Sequence, residues 1–273
     1  MGSNGRQKPG AVRRWRRLAA AGAPVVLGLA ATDARAAQLY FQDFESLALQ
    51  PFVSSTETGG SGADWTDELP AGWARDNTGT PAGGPVEFFG FTFMNKDSWI
   101  TTEEVQERNL FTRGTGTVMV SDPDAYDDSG DIDPNLYNVF IRTQRIALAN
   151  TVPGTARLNF DSSFRPYDTM TGSVEVSFDG GDNFTSLLSM NSANVPGGDS
   201  SLERVDEAIS LPLDNPLGAA DMIVRFGMTE AGNDWWWAVD NIEVTAELVP
   251  EPGSALALVG LAGLGALSRR RRR

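Results

Sequence analysis

The residue types in this chain limit the chemistry it can perform. Its 273 residues include no cysteine and no histidine. This excludes a disulfide framework, a thiol nucleophile, a Ser-His-Asp triad and an ordinary zinc site. The chain does contain 36 Asp and Glu residues. Carboxylates support two kinds of site, namely acid pairs of the glycosidase type and oxygen-ligated cations such as calcium.

Acidic residues dominate the segment 37–252. That segment holds 10 of the 22 basic residues and 35 of the 36 acidic ones, which gives it a net charge of -25. A surface of this charge repels phosphate backbones, because binding them requires Lys and Arg side chains that release counterions. We therefore expect no nucleic-acid partner. Cations and neutral polymers such as glycans remain as partners.

One short segment is especially rich in aspartate. It does not fit the EF-hand loop, which needs Gly at the sixth position and Glu at the twelfth. A solvated acidic loop is favoured over an irregular calcium loop. The aspartates of this segment are Asp122, Asp124, Asp127, Asp128, Asp131 and Asp133.

Three consecutive tryptophans, Trp235, Trp236 and Trp237, offer a different chemistry. Aromatic faces can stack on sugar rings, so these residues are candidates for glycan stacking. Neighbouring residues of a strand point to opposite faces of the sheet. At least one of the three rings should therefore lie in the core, and one or two could face outward. For Trp65, Trp73 and Trp99 we expect structural roles.

The N-terminal 36 residues have the three parts of a signal peptide. Residues 6–17 are basic, Leu18 to Ala31 is a short apolar run, and Ala34-Arg35-Ala36 has small residues where signal peptidase reads. We predict export and cleavage after Ala36. The alternative is a cytoplasmic amphipathic arm.

The C-terminal segment 249–273 has three parts as well. Val249-Pro250-Glu251-Pro252-Gly253 precedes an apolar stretch, Ser254 to Leu267, and five arginines end the chain. A full membrane span needs about 20 apolar residues, so this stretch is a marginal permanent span. The arginines would stay on the cytoplasmic side and leave the body outside.

This arrangement resembles the PEP-CTERM sorting signal, with Pro250, Glu251 and Pro252 as the sorting motif. The resemblance implies that the protein inserts transiently into the membrane and is processed by a membrane protease, the exosortase. It also implies a final location at the cell surface or in the extracellular matrix, in association with exopolysaccharide. The alternative is a plain C-terminal membrane anchor.

The pattern of residues 37–248 predicts a single all-β domain. Short runs rich in Val, Ile, Phe and Thr alternate with clusters of Gly, Asp, Asn and Pro. Many short strands without βαβ spacing favour an antiparallel β-sandwich. Within this domain the one predicted helix covers Glu103 to Leu110, and outside it we predict a helix in the signal peptide and a short hydrophobic helix in the C-terminal segment. The predicted strands include 39–41, 117–120, 138–142, 157–160, 174–178, 222–228 and 235–244.

The segment Ser177 to Phe184 predicts a hairpin, because Gly180-Gly181 supplies positive φ angles. The segment also resembles the Asp-box of sialidases, with Asn183 in place of Thr. Sialidases carry several copies and this chain has one, so the structural hairpin is favoured.

The two ends of the predicted domain carry Gln42-Asp43-Phe44-Glu45 and Ala238-Val239-Asp240-Asn241-Ile242, which resemble the signatures of MAM-like jelly rolls. Leu69 to Trp73, together with the tryptophan run, also resembles the choice-of-anchor, or cleaved-adhesin, jelly rolls. The MAM disulfides are absent, and Asn241 replaces the second Asp of the family pattern. The resemblance implies a jelly-roll β-sandwich on a surface protein.

In these jelly rolls the first and last strands lie side by side, and carboxylates at their ends can share a cation. The resemblance therefore brings Glu45 and Asp240 together, with Asp43, Asn241 or Asp64 as further ligands. Ligation by oxygen alone points to calcium. The alternative is that these groups cap turns on a solvated rim.

Together these patterns predict an exported, non-catalytic surface or matrix domain that associates with exopolysaccharide and binds calcium. One alternative is a carboxylate-dependent hydrolase or lyase acting on glycans, which would need a cleft with paired acids about 5 to 10 Å apart. Another is a purely structural surface domain, which burial of every tryptophan would favour.

Overall fold

The computed structural model describes residues 36–54, 60–102, 105–126, 137–166, 169–191, 204–232 and 235–250. The predicted signal peptide lies outside these ranges except for Ala36. In the C-terminal segment only Val249 and Pro250 lie inside them, so the predicted apolar helix and the arginine run lie outside.

Most of the regular elements in the described residues are strands, and the long strands Asp221–Ala231 and Trp237–Glu247 contain β-branched and aromatic residues that suit a pleated, half-buried surface. The strands are β1 (Ala36–Gln42), β2 (Trp65–Thr66), β3 (Ala74–Gly79), β4 (Thr92–Asn95), β5 (Thr117–Ser121), β6 (Tyr137–Arg142), β7 (Ile146–Ala147), β8 (Arg157–Phe164), β9 (Thr171–Ser177), β10 (Thr185–Asn191), β11 (Glu207–Pro212), β12 (Asp221–Ala231) and β13 (Trp237–Glu247).

These strands make two antiparallel sheets. The first has the order β11-β8-β13-β5-β4-β2, and β1 also pairs with β13. The second has the order β10-β9-β12-β6-β3, and β7 also pairs with β12. All of the described pairings are antiparallel, so the predicted all-β sandwich is confirmed.

Aromatic rings fill the space between the two sheets. The Trp237 ring of β13 packs against Phe164 of its own sheet at 5.9 Å and against Phe226 of the other sheet at 5.8 Å, measured between ring centroids. Phe160 meets Phe226 edge to face at 5.5 Å. All four side chains are buried. Such rings remove large apolar areas from water, which is the main favourable term in folding.

The described helices are short. They are α1 (Lys96–Trp99), α2 (Pro123–Tyr126) and the 3-10 helices Val86–Phe88 and Arg108–Leu110. Of the helix predicted from 103 to 110, the described residues form only the 3-10 helix Arg108–Leu110, and the prediction is wrong for residues 105–107. Val105, Gln106 and Glu107 have φ angles of 76°, 36° and 72°, which a right-handed helix cannot contain. No helix of the described ranges is long and apolar enough to cross a membrane.

Candidate functional site

The site is built around β13, the central strand of the first sheet. One edge of β13 pairs with β8 along most of its length. The other edge is shared, because residues 237–239 pair with β5 and residues 242–247 pair with β1. Asp240 and Asn241 fall in the gap between these two partners. The end of β1 and the start of β5 therefore meet at this pair.

A β-bulge places the two side chains. The register between β13 and β8 shifts between Asp240 and Glu243, and Asn241 has a φ of 53°. Asn adopts this left-handed conformation more readily than most residues. Bulges of this kind redirect side chains next to functional sites. Here the bulge keeps Asp240 buried while Asn241 is half-buried.

Asp240 is 1% exposed, and its carboxylate accepts hydrogen bonds from two backbone amides. Thr115 N donates to its Oδ2 at 3.0 Å, and Asn241 N donates to its Oδ1 at 2.7 Å. Burial and, to a smaller extent, the charges of Glu45 and Asp161 raise the pKa of Asp240 to about 7, although the two amide hydrogen bonds oppose this shift. Three carboxylates thus interact at one place, which is unfavourable unless a proton or a cation sits among them.

Glu45 reaches the site from the turn that follows β1. Its Oε1 accepts a hydrogen bond from Thr117 N at 3.1 Å. Gly116 has a φ of 54°, and a Cβ at this position would overlap the Glu45 carboxylate. At the start of β5 the Thr115 amide therefore donates to Asp240 and the Thr117 amide donates to Glu45. Gly116 between them leaves room for the Glu45 carboxylate.

Asp161 was not among the predicted site residues. It lies directly opposite Asp240 on β8. Asn241 Nδ2 donates to Asp161 Oδ2 at 3.0 Å and to Asp240 Oδ2 at 3.3 Å, and so links the two strands. Arg113 Nη1 lies 3.9 Å from Asp161 Oδ1. Sequence alone gives no sign of the pairing between β8 and β13 that brings Asp161 here.

The remaining acids predicted as ligands, Asp43 and Asp64, accept hydrogen bonds from backbone amides of their own turns. Asp43 is half-buried next to Glu45, and its Oδ1 accepts a hydrogen bond from Glu45 N at 3.2 Å. Asp64 is buried in a separate turn, where its carboxylate accepts hydrogen bonds from the Ser61 amide, from Gly62 N at 3.0 Å and from Ser98 Oγ at 2.6 Å. These bonds outweigh burial and lower the pKa of Asp64. The geometry gives Asp64 the role of a turn cap.

The side chains around Asp240 carry carboxylate and amide oxygens, which are the metal ligands that calcium prefers. Within the described ranges, however, no group of three or more acidic residues is arranged so as to hold a metal ion. Of the acids predicted as ligands, Glu45 and Asp240 are the two that interact electrostatically at this junction. Calcium usually takes six to eight oxygens, so a bound ion would complete its shell with neutral oxygens or water.

The raised pKa of Asp240 predicts how stability depends on pH. The folded domain binds the Asp240 proton more tightly than the unfolded chain, whose carboxyl has the ordinary value of 3.8. Stability of the calcium-free domain therefore falls as pH rises from about 4 to about 7, at ~1.4 kcal/mol per pH unit. We expect a loss of about 2–3 kcal/mol between pH 5 and pH 8, measured by urea unfolding of residues 37–248 in EDTA.

The Asp240→Asn variant is the control for this measurement. It keeps the shape of the side chain and removes the titrating group, so its stability should lose this pH dependence. If the variant still lost about 2–3 kcal/mol between pH 5 and pH 8, the pH dependence would come from other acids.

The tryptophans lie mainly inside the sandwich. Trp236 and Trp237 are 0% exposed, and their Nε1 atoms donate to Ser163 Oγ and Ser162 Oγ, each at 3.0 Å. Neither ring is available to a sugar in this structure. Trp235 is half-buried, and the guanidinium of Arg165 lies 3.8 Å from its ring centroid. Glycan stacking through this run is therefore restricted to Trp235. Trp65, Trp73 and Trp99 are buried too.

The segment Ser177 to Phe184 forms the turn between β9 and β10. The Asp179 carboxylate accepts hydrogen bonds from Ser177 Oγ at 2.7 Å, Asn183 N at 3.0 Å and Asn183 Nδ2 at 2.7 Å. These bonds lower its pKa. Gly180 and Gly181 have φ angles of 85° and 98°. The Asp and Asn side chains are thus used in holding the turn, as a structural hairpin requires.

Comparison with solved structures finds proteins of similar fold and low identity. The K1 cleaved adhesin domain of Lys-gingipain from Porphyromonas gingivalis W83 is 16% identical, over 66% of this chain and 94% of that chain, with a TM-score of 0.45. A cyclase from Fischerella sp. is 15% identical, over 79% and 98%, with a TM-score of 0.43. TmCBM61, solved with β-1,4-galactotriose, is 11% identical, over 65% and 90%, with a TM-score of 0.38.

All three similarities are of low identity, with TM-scores of 0.45 or less. Comparison with curated protein sequences finds no match.

The C-terminal segment gives the most specific result. Residues 248–273 match the family model for the PEP-CTERM protein-sorting motif. The matched range contains Pro250, Glu251 and Pro252, of which only Pro250 lies in the described part of the chain. The motif implies that the protein is sorted by exosortase to the cell surface. This chain therefore carries a PEP-CTERM protein-sorting motif.

Proposed function

We propose that the processed domain is a non-catalytic component of the cell surface or extracellular matrix that associates with exopolysaccharide and binds calcium. The observation that supports the proposal is the sorting motif at 248–273, because it implies sorting to the cell surface, where an exopolysaccharide would be within reach of the domain. The chemistry of the domain is compatible with this location. It contains no cysteine or histidine whose oxidation or titration would affect it outside the cell.

The proposed calcium ion lies between Glu45 and Asp240. Both acids come from segments next to the junction of β1, β5 and β13, so a cation there would join the first strand of the domain to its last. Without a cation, Glu45 and Asp161 act on a buried Asp240 whose pKa is raised. A divalent cation offsets this repulsion and stabilises the ionised form.

A direct test measures binding of residues 37–248 to the host's own exopolysaccharide in calcium and then in EDTA. We expect binding that needs calcium and that the Glu45→Gln and Asp240→Asn variants lose. Glu243→Gln is the matched control, since Glu243 lies on the same strand and bonds Gln38 and Asn159 instead. Calcium should raise the melting temperature of the wild type and of the control, but not that of the two site variants.

Two results would contradict the proposal. Equal binding in calcium and EDTA would remove calcium from it and leave the exopolysaccharide association. Failure to bind in either condition would favour the purely structural alternative, with which the buried tryptophans agree.

The enzyme alternative has one observation in its favour. A carboxyl with a pKa of about 7 beside a second acid is the arrangement that a general acid needs. Asp240 is only 1% exposed, however, and the Thr115 amide covers its Oδ2. A glycosidic oxygen has no route to this carboxyl in the described structure. If the wild-type domain hydrolysed the exopolysaccharide and the Asp240→Asn variant did not, the enzyme alternative would be established instead.

A further inference from the structure

The basic residues of the body point to a second site on the other sheet. All 10 Lys and Arg residues between 37 and 252 lie in the described ranges. The side chains of nine of them donate a hydrogen bond or form an ion pair, for example Arg145 with Asp221 at 3.0 Å and Arg157 Nε with Ser210 Oγ at 3.2 Å. Within the described ranges the Arg142 side chain does neither. An unpaired guanidinium is unusual in a segment with 35 acidic residues.

Arg142 lines a pocket of about 270 Å³ on the outer face of the second sheet. The volume is slightly below the ~300 Å³ typical of the smallest ligand sites, which suits one small ring better than an extended ligand. Strands β3, β6 and β12 and the β9–β10 hairpin supply its walls. The lining residues are Ala74, Arg75, Asp76, Phe140, Ile141, Arg142, Gly181, Phe184 and Arg225.

Strand register places two arginines side by side in this pocket. Arg225 of β12 pairs directly with Arg142 of β6, and Glu175 of β9 pairs with Arg225 on its other side. The Arg225 guanidinium is neutralised by Glu175, with 2.6 Å between Nε and Oε2. Arg142 has no such partner in the described ranges. Because the pair of Arg225 and Glu175 is neutral as a whole, the charge of Arg142 is the one that a bound anion would neutralise.

The pocket also has an apolar side. The Arg225 guanidinium lies 3.8 Å from the Phe184 ring centroid and 4.8 Å from that of Phe140. These contacts hold both half-buried rings at the pocket. The Phe140 ring lies over Gly227, where a Cβ would come within 2.6 Å of it. The lack of a side chain at Gly181 likewise lets the hairpin approach Arg142, since a Cβ at this position would lie 2.8 Å from Arg142 Nη1.

Asp76 adds a hydrogen-bond acceptor to the pocket. It is exposed, its Oδ1 accepts from Thr78 N at 3.0 Å and Thr78 Oγ1 at 2.6 Å, and these bonds lower its pKa. An ionised Asp76 repels a bare anion such as sulfate but accepts hydrogen bonds from hydroxyl groups. The pocket therefore combines a guanidinium that has no partner among the described residues, two aromatic rings and an acceptor for hydroxyl groups.

We propose that this pocket binds a sugar ring that carries a carboxylate, that is, one uronic acid residue of an acidic polysaccharide. Arg142 pairs with the carboxylate through two parallel N–H donors, the aromatic rings contact the apolar face, and Asp76 accepts from a hydroxyl. The net charge of the body repels densely charged polymers. The ligand is therefore a polymer in which uronic acids are spaced among neutral sugars. This inference rests on the proposed exopolysaccharide association for its source of ligand, but on different residues.

The first experiment uses two ligands that differ only at C6, methyl glucopyranosiduronic acid and methyl glucopyranoside. Binding to the full-length chain is measured in EDTA by ligand-observed NMR titration, so that the proposed calcium site cannot contribute. We expect the acid to bind at least about tenfold more tightly than the neutral sugar, because only the acid pairs with Arg142. Equal binding of the two would overturn the proposal, and sulfate binding as tightly as the acid would reassign the pocket to bare anions.

The second experiment compares three arginine variants with matched melting temperatures. Arg142→Gln should weaken binding of the acid at least about tenfold, and Arg142→Lys should restore part of it, because Lys keeps the charge without the bidentate geometry. Arg157→Gln makes the same charge change on the first sheet and should leave binding unchanged. If both Gln variants weakened binding equally, the effect would come from net charge and the pocket would be excluded.

The same variants separate this inference from the proposed function. Exopolysaccharide binding that Arg142→Gln leaves intact would overturn the inference and keep the proposed association. Arg142-dependent binding of the uronic acid without any binding of the host's exopolysaccharide would keep the pocket and overturn the association.

Discussion

Deletion of residues 249–273 abolishes retention of the protein at the cell surface, which is the largest effect we expect from any change to this chain. The deleted segment contains almost the whole of the matched sorting motif. The last strand ends before it, at Glu247. The deletion therefore removes the sorting signal and spares the sheet. The measurement is fractionation of the producing cells into membrane, surface and medium.

A substitution distinguishes exosortase sorting from a plain membrane anchor. Changing Pro250 and Pro252 to Ala alters the tripeptide and leaves the apolar stretch and the arginines in place. Under exosortase sorting, this protein should accumulate unprocessed in the membrane at its full mass. If it were processed and distributed like the wild type, the tripeptide would have no role in sorting.

The Asp122→Asn variant should lose about 3–5 kcal/mol of unfolding free energy, the largest effect we expect on stability. Asp122 and Arg108 are both 0% exposed. Arg108 Nη2 lies 2.9 Å from Asp122 Oδ2, and the guanidinium lies 5.9 Å from the ring centroid of Trp99 and 5.0 Å from that of Trp236. Neutralising Asp122 leaves a buried positive charge without its main partner, because Asp124 is farther away, at 3.6 Å.

Asp221→Asn provides the matched control for this prediction. It makes the same chemical change in an exposed ion pair with Arg145. Solvent screens that pair, so the variant should lose less than about 1 kcal/mol. Both free energies come from denaturant unfolding at neutral pH. A similar loss in the two variants would mean that the buried pair contributes no more than a surface pair.

The strand pattern and the sorting motif could be predicted from the sequence because both depend on neighbouring residues. The predicted strand over 157–160 became β8, and the predicted closing strand over 235–244 became β13 with a small shift in its bounds. The helix predicted over 103–110 is absent at residues 105–107 for a tertiary reason. Arg108 lies in the core, paired with Asp122, and the chain before it turns through left-handed backbone conformations.

The carboxylate site could be predicted only in part. Resemblance to jelly rolls brought Glu45 and Asp240 together, because it implied that the first and last strands are adjacent. Asp161 depends on the register between β8 and β13, which local sequence does not encode. The pocket around Arg142 escaped prediction for the same reason, since its residues come from separate strands.

The position of β13 also sets the order in which the domain can fold. This strand is the central strand of the first sheet and pairs with β1, β5 and β8, yet ribosomes make it after every other described strand. Ala36 pairs with Glu247, so the contacts that complete the sheet join opposite ends of the domain sequence. Contacts this distant make folding slow. A growing chain cannot complete its first sheet before β13 has been made, and the acidic body remains unfinished, without a closed core, until then.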